Sequence, residues 1–498
     1  MRCSMRDLAF VLASCALASL AFGDSVELPT LVHSPQSSPF NVLGGDLALT
    51  TPTVCVVGVR GADGLALNQG AVESFELRSD GWTYLQRLQP SELAAGDQFG
   101  EAVAGDAQWM VSSATRHDAA GVDAGAVWIY RREGRFWQGA QQLLPGMGSD
   151  GARFGSALAL SGNWLAIGSP TASSGGVVTL YQLVGSTWQF DRTIANPSPA
   201  QGDRFGDALA LTSDRLVVGD PFDDTQSIDR GAVFVYEHAG RSWTLGATLA
   251  PSSSSDRQYF GRSLALGASR LAVGANGADA SSGTSASGMV EVFDLMGGVW
   301  LRSAELRPDT AVVGGHFGWD VAMESSTIVV GEPGFGAGSA VPLVGRSHVF
   351  AQTAGGLWTL EWSLQAEFPA AQDVLGTSVA YASGRLVVAA PGRSGQAGAL
   401  MSIDLNADCD GNSISDLLQV AADPALDCNG DLVLDACQPI NCDCPSDLNG
   451  DGVVSSADLA VLLAQWGNYG QGSADMNGDF EVDAFDLALL LASWGPCP

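Results

Sequence analysis

One two-residue step, Phe-Gly or its degenerate form Leu-Gly, recurs along most of this 498-residue chain: Leu43-Gly44, Phe99-Gly100, Phe154-Gly155, Phe205-Gly206, Phe260-Gly261, Phe317-Gly318 and Leu375-Gly376. Successive steps lie 56, 55, 51, 55, 57 and 58 residues apart. A period in that range marks a repeat architecture, in which no unit can bury its apolar face alone and each must stack on its neighbours.

The pattern inside each unit is β. Leu165-Ala166-Ile167-Gly168, Leu216-Val217-Val218-Gly219, Leu271-Ala272-Val273-Gly274 and Ile328-Val329-Val330-Gly331 are short unbroken apolar runs, as expected of strands covered on both faces. A strand rich in β-branched and aromatic residues comes next, Ala126-Val127-Trp128-Ile129-Tyr130 or Ala232-Val233-Phe234-Val235-Tyr236, which suits a pleated, packed surface. A Trp follows in six units, at Trp82, Trp137, Trp188, Trp243, Trp300 and Trp358. Four short strands per period predict propeller blades. The Phe of each step is expected between adjacent blades, and the Gly where backbones approach too closely for a Cβ.

Seven units predict a mainly β fold, a seven-bladed β-propeller. The last unit ends at Ala399-Leu400-Met401-Ser402-Ile403 without a Trp-bearing outer strand, whereas Val26-Glu27-Leu28-Pro29-Thr30-Leu31-Val32 precedes the first unit with none of its own. The N-terminal segment is therefore predicted to complete the last blade, closing the ring so that no long sheet edge stays unpaired. These residues resemble the FG-GAP repeat family, whose best-known members form the head of integrin α subunits, and the resemblance covers residues 24–405. The blade loops lack the Asp-x-Asp-x-Asp-Gly cation motif of that family. The nearest approach, Asp220-Pro221-Phe222-Asp223-Asp224 with Asp229, has the wrong spacing, so the sequence does not support cation-dependent binding by the propeller.

Residues 1–23 read as a signal peptide: Arg2 and Arg6 precede the apolar run Leu8 to Phe22, which ends at Ala21-Phe22-Gly23. Leu12-Ala13-Ser14-Cys15 also fits a lipoprotein box that would leave the chain lipidated at Cys15. No later run is long enough for a membrane span. The sequence thus predicts a secreted or cell-surface protein. Its net charge of −31, from 54 acidic and 23 basic residues, argues against nucleic acid, whose phosphates need a basic surface. From Asp404 onward there are 16 Asp, one Glu and no Arg or Lys, a density of charge that recruits cations or keeps a segment unfolded. Six of the nine Cys lie in this tail, at Cys409, Cys428, Cys437, Cys442, Cys444 and Cys497. In an exported chain they predict up to three disulfides, with the pairing open among 15 arrangements. Cys55, inside Val54-Cys55-Val56-Val57, reads as a buried free thiol.

The tail holds the most definite chemistry. Asp447, Asn449, Asp451, Val453 (through its carbonyl), Ser455 and Asp458 occupy positions 1, 3, 5, 7, 9 and 12 of a 12-residue loop with Gly452 at position 6. A hard cation such as calcium takes six to eight oxygen ligands, and alternate residues of a tight loop present theirs inward. The pattern repeats 28 residues on as Asp475, Asn477, Asp479, Glu481 (carbonyl), Asp483 and Asp486. Each loop leads into an apolar stripe, Leu459, Leu462, Leu463 and Trp466, then Leu487, Leu490, Leu491 and Trp494, predicting two helices whose stripes pack together. Residues 445–498 resemble a dockerin, a calcium-binding EF-hand pair, including its Asp at position 12. Phe480 in place of the turn Gly and the absence of a full hydroxyl pair at Ser456-Ala457 and Ala484-Phe485 depart from dockerins that bind cohesins.

Between propeller and dockerin-like module, residues 406–444 carry Asp408, Asp410, Asn412, Ile414 and Asp416, then Asp427, Asn429, Asp431, Val433 and Asp435, each series interleaved with a Cys. This Cys-rich acidic segment resembles the calcium repeats of thrombospondin, where metal and disulfides replace a hydrophobic core. The resemblances imply a binding or display protein: propeller loops offered to a protein or glycan, and a calcium-ordered tail for a cohesin-like or cell-surface partner. A dockerin-tagged component of a carbohydrate-degrading complex, with a glycan-binding or glycoside-active propeller, is the alternative. His33, His117, His238, His316 and His348 fall in no ligand spacing, and no nucleophile elbow, HExxH or phosphate loop occurs, so no enzyme is predicted.

Overall fold

The computed structural model describes residues 25–405 apart from short interruptions, and in the tail chiefly 453–467 and 482–496. Residues 1–23, predicted as a signal peptide, and with them Cys15, lie outside the described residues.

Each repeat is one antiparallel sheet, and the seven sheets are the predicted blades. In blade four the strands are Ala208–Leu211, Arg215–Asp220, Ala232–Ala239 and Ser242–Leu249, paired in sequence order. The second strand of a blade, such as Val54–Val59, is buried along its whole length. That is why its sequence is an unbroken apolar run and not an alternating one. Between the third and fourth strands a register shift recurs at the same place, at Val235/Tyr236 in blade four and Val292/Phe293 in blade five. A bulge there strengthens the twist each blade needs to follow the ring.

The five Phe of the repeated steps are at most 1 % exposed, and each sits in the apolar layer between two blades. Phe205 packs with Val178 and Leu180 of blade three and with Val218 and Phe234 of blade four. Phe317 does the same between blades five and six, with Val290, Val330 and Phe350. Outer strands are tied as well: the Gln141 side chain donates to the Trp188 carbonyl (2.8 Å) and accepts from the Trp188 N–H (3.0 Å), and Gln86 holds Trp137 in the same way. Gly219, at the end of a second strand, touches Gly261 of the next step so closely that a Cβ would fall 2.1 Å from the Gly261 carbonyl oxygen.

The ring closes at the first and seventh blades, where Leu43, Val57, Ala389 and Leu400 share one core and the Leu43 N–H donates to the Ala397 carbonyl. Thr30–Val32 pairs antiparallel with Ala399–Asp404 and supplies the missing outer strand of blade seven. The expectation of one continuous closing strand needs correcting, however. Ser25–Leu28 runs parallel to Trp358–Ala366 on the outer edge of blade six, so the N-terminal segment covers two edges. Pro29, between the two strands, lacks a ladder donor and suits the break.

Candidate functional site

In the tail two helices follow the two loops, α1 (Ser456–Ala464) and α2 (Ala484–Ala492). Ser455 caps α1, its hydroxyl accepting from the Ala457 N–H, while Asp458 Oδ2 accepts from the Ser455 N–H at 2.7 Å. Asp483 caps α2 and Asp486 Oδ2 accepts from the Asp483 N–H at 2.8 Å. Both are capping boxes, with Asp as the third helical residue, favoured by the positive helix N-terminus. The residues predicted at positions 9 and 12 of each loop are therefore the N-cap and the third residue of the helix that follows it.

The crossed pairing of the loops gives the module its symmetry. Val454, at position 8 of the first loop, pairs with Gly495 beyond α2, and the Gly467 N–H beyond α1 donates to Val482, position 8 of the second loop. Val454, Leu462, Ala474, Val482 and Leu490 form the core, flanked by Leu459 and Leu487. Here the packing expectation is only half met. Leu463, Trp466, Leu491 and Trp494 are 53, 44, 52 and 49 % exposed. The core is completed by Ala474 and the two loop valines and does not include the second half of either stripe. Phe485 (68 %) and Leu489 (42 %) extend the exposed apolar surface.

Of the predicted ligands, Val453, Ser455, Asp458, Asp483 and Asp486 are described. Asp458 and Asp486 are both fully buried, and Asp486 Oδ1 also accepts from the Met476 N–H. Asp447, Asn449, Asp451, Asp475, Asn477, Asp479 and Glu481 lie outside the described residues, as do Asp408, Asp410, Asn412, Ile414, Asp416, Asp427, Asn429, Asp431, Val433, Asp435 and the six tail Cys. Two buried carboxylates in a tail without a single Arg or Lys fit the oxygen ligands that a hard cation takes.

In the propeller the titratable groups are mostly absorbed by the architecture. Asp46 Oδ2 of blade one accepts from the Val103 N–H of blade two, and Asp320 Oδ2 of blade six from the Val379 N–H of blade seven, both at 2.8 Å. Ser378 donates to Asp46 Oδ1. Burial pushes Asp46 up to about 7, the Asp320 charge adding to it, and burial raises Asp320 as well. Sequence reading missed these inter-blade clasps, which sit two residues after the Gly of their steps. His348 is fully buried, with Nε2 against Glu332 Oε2 (2.8 Å) and Nδ1 against Ser363 Oγ. His117 meets Asp97 (2.8 Å), His238 stacks on Trp243, and His316 Nδ1 faces the Asn276 carbonyl. Cys55 is a buried free thiol.

Comparison with known proteins agrees with both parts of this chain. Residues 82–130, 188–236 and 243–293 match the FG-GAP repeat, and residues 445–492 match the dockerin type I domain. No curated protein matches the chain. Among solved structures, a candidate 6-phosphogluconolactonase from Bacteroides fragilis is 11 % identical at a TM-score of 0.43, covering 65 % of this chain and 85 % of its own. The Pan2 WD40 domain of Neurospora crassa is 11 % identical at 0.47, covering 78 and 98 %. Neither likeness bears on function. No helix among the described residues is long and apolar enough to cross a membrane.

Proposed function

Given FG-GAP repeats closed into a seven-bladed propeller and followed by a dockerin type I domain, we propose that this chain is an exported, non-catalytic attachment subunit. The tail docks on a cohesin-like partner and the propeller presents its loops to a protein or glycan. One observation carries the reading: Leu463 with Trp466 and, 28 residues on, Leu491 with Trp494 at the C-terminal limit of the matched domain are about half exposed. Aromatic residues held at a surface by a rigid scaffold are the usual anchors of protein recognition.

Calcium orders this surface in the proposal. Asp458 and Asp486 close the two loops from the first turns of α1 and α2, so a cation held there fixes both helices to their loops. A non-catalytic propeller is favoured by where its reactive groups go. The four described His are engaged in packing, ion pairs or hydrogen bonds, and Asp46 and Asp320 are occupied as clasps between blades. The dockerin match also favours membership of a carbohydrate-degrading complex, with the propeller as its glycan-binding part.

The test passes the full-length oxidised chain over immobilised cohesin modules in calcium and then in chelator. Capture in calcium, release by chelator and loss in a Trp466→Ala, Trp494→Ala double variant are expected. Failure to bind any cohesin in calcium, with the helical signal of the tail intact, would remove the docking role.

A further inference from the structure

The seven repeats provide an internal comparison at one inter-loop position. Two residues before the step, blades two, four and seven carry an Asp: Asp97, Asp203 and Asp373. In all three, Oδ2 accepts from a backbone N–H three residues earlier, of Ala94, Ala200 or Ala370, at 2.7 to 2.8 Å. The fold thus places this carboxylate identically. It faces the third residue beyond the end of the blade's second strand. In blade two that residue is His117, 2.8 Å from Asp97, and in blade seven Arg393, 2.8 Å from Asp373. The carboxylate therefore has a tethered cationic or hydrogen-bonding partner.

Blade four breaks the pattern. The residue in the place of His117 and Arg393 is Asp223, and the strand-end residue, Ala114 or Ala390 in the other two blades, is Asp220. One oxygen of each of Asp203, Asp220 and Asp223 falls within 4.8 Å of the others. All three are buried, Asp220 completely and the other two 5 % exposed. None of them enters an ion pair with Arg or His among the described residues; nearby Arg204 lays its guanidinium over Phe222, 4.4 Å from the ring centre. Asn196 bridges Asp203 and Asp220 through Nδ2, and Thr225 satisfies both oxygens of Asp223. Asp203 Oδ1 is left buried with no hydrogen-bond partner.

Three carboxylates so close, taken out of water and without a counter-charge, repel one another strongly. We propose that blade four binds a hard divalent cation between Asp203, Asp220 and Asp223, in the place that His117 and Arg393 fill in blades two and seven. The donors are all oxygen, which selects calcium, magnesium or manganese over softer metals. A cleft of about 700 Å³, lined by Thr171, Ala200, Gly202 and Asp203, adjoins the cluster on the Asp203 side. Asp229, grouped with this loop from sequence, is not part of the cluster, while Asp203, 17 residues before Asp220, is. The site is independent of the tail loops and of the docking role.

Calcium stoichiometry of the full-length chain, measured by equilibrium dialysis, tests the site as a difference that cancels the tail. Asp223→Arg copies the Asp373–Arg393 pair and is expected to bind one equivalent fewer than wild type. Its propeller should also melt at the same temperature with and without chelator, whereas the wild-type propeller melts lower in chelator. If Asp223→Arg does not fold, Asp223→Asn is expected to lose the same equivalent. Retention of that equivalent by a folded variant of either kind overturns the assignment.

Discussion

Gly219→Ala tests how the blades are joined. The added Cβ would lie 2.1 Å from the Gly261 carbonyl oxygen and 3.2 Å from the Ala208 Cβ. An unstrained C···O contact needs about 3.3 Å, so the clash amounts to roughly 1.2 Å. The Gly261 oxygen is backbone and the new Cβ is fixed directly to backbone, both inside paired strands, Phe260–Leu266 and Arg215–Asp220, so no side-chain rotation can relieve it. Relief comes only by moving blade five from blade four, which loosens the layer containing Val217, Val233, Phe260 and Val273. A gap of 0.5–1 Å forfeits about a quarter to a half of each dispersion contact, and overpacking alone costs about 1–3 kcal/mol. The expected loss is therefore about 3 kcal/mol or more. Urea unfolding followed by tryptophan fluorescence measures it, with Gly139→Ala as control. There the nearest atom to the new Cβ is Tyr130 Cε1 at 4.0 Å, and a change within about 0.5 kcal/mol is expected. Equal midpoints for Gly219→Ala and wild type would refute the close approach of the two glycines. Gly168, Gly274 and Gly331 make the same approach, at 2.1, 2.2 and 2.0 Å, and should respond alike.

Deleting residues 24–32 strips the outer strands from blades six and seven; the bared edges should lower the melting temperature and promote self-association seen by light scattering, and a monomeric deletion with an unchanged melt would disprove the closure. Burial holds His348 below its ordinary value, against the raising effect of Glu332. The folded state then refuses a proton that the unfolded state accepts, so stability is present above about pH 6.5 and falls as the pH drops, at up to about 1.4 kcal/mol per pH unit. His348→Gln should reduce that slope between pH 6.5 and 5, and an unchanged slope would assign the titration elsewhere. Cys55, 1 % exposed and with its thiol pushed up by burial, should take a thiol label only in denaturant; labelling of Cys55 in the native protein, located by mass spectrometry, would contradict its place in the core.

The recurrence of the Phe-Gly step at nearly constant spacing determined the number of blades, the apolar runs determined which strands are covered on both faces, and the unmatched ends of the repeat array determined that the N-terminus must close it. The paired loops of the tail were legible for the same reason: local chemistry repeated at a fixed offset is visible in a linear sequence. What the sequence left open depends on how separate segments meet. Val26 to Val32 reads as one strand, yet Ser25–Leu28 and Thr30–Val32 pair with different blades. Leu463 and Leu462 are adjacent in one apolar stripe, but only the packing of Ala474, Val454 and Val482 beneath the helices decides that Leu462 is covered and Leu463 is not. Asp203 and Asp223 are 20 residues apart and of ordinary spacing. They face each other because the step that starts a blade returns against the loop ending that blade's second strand, a contact that the tertiary structure alone creates.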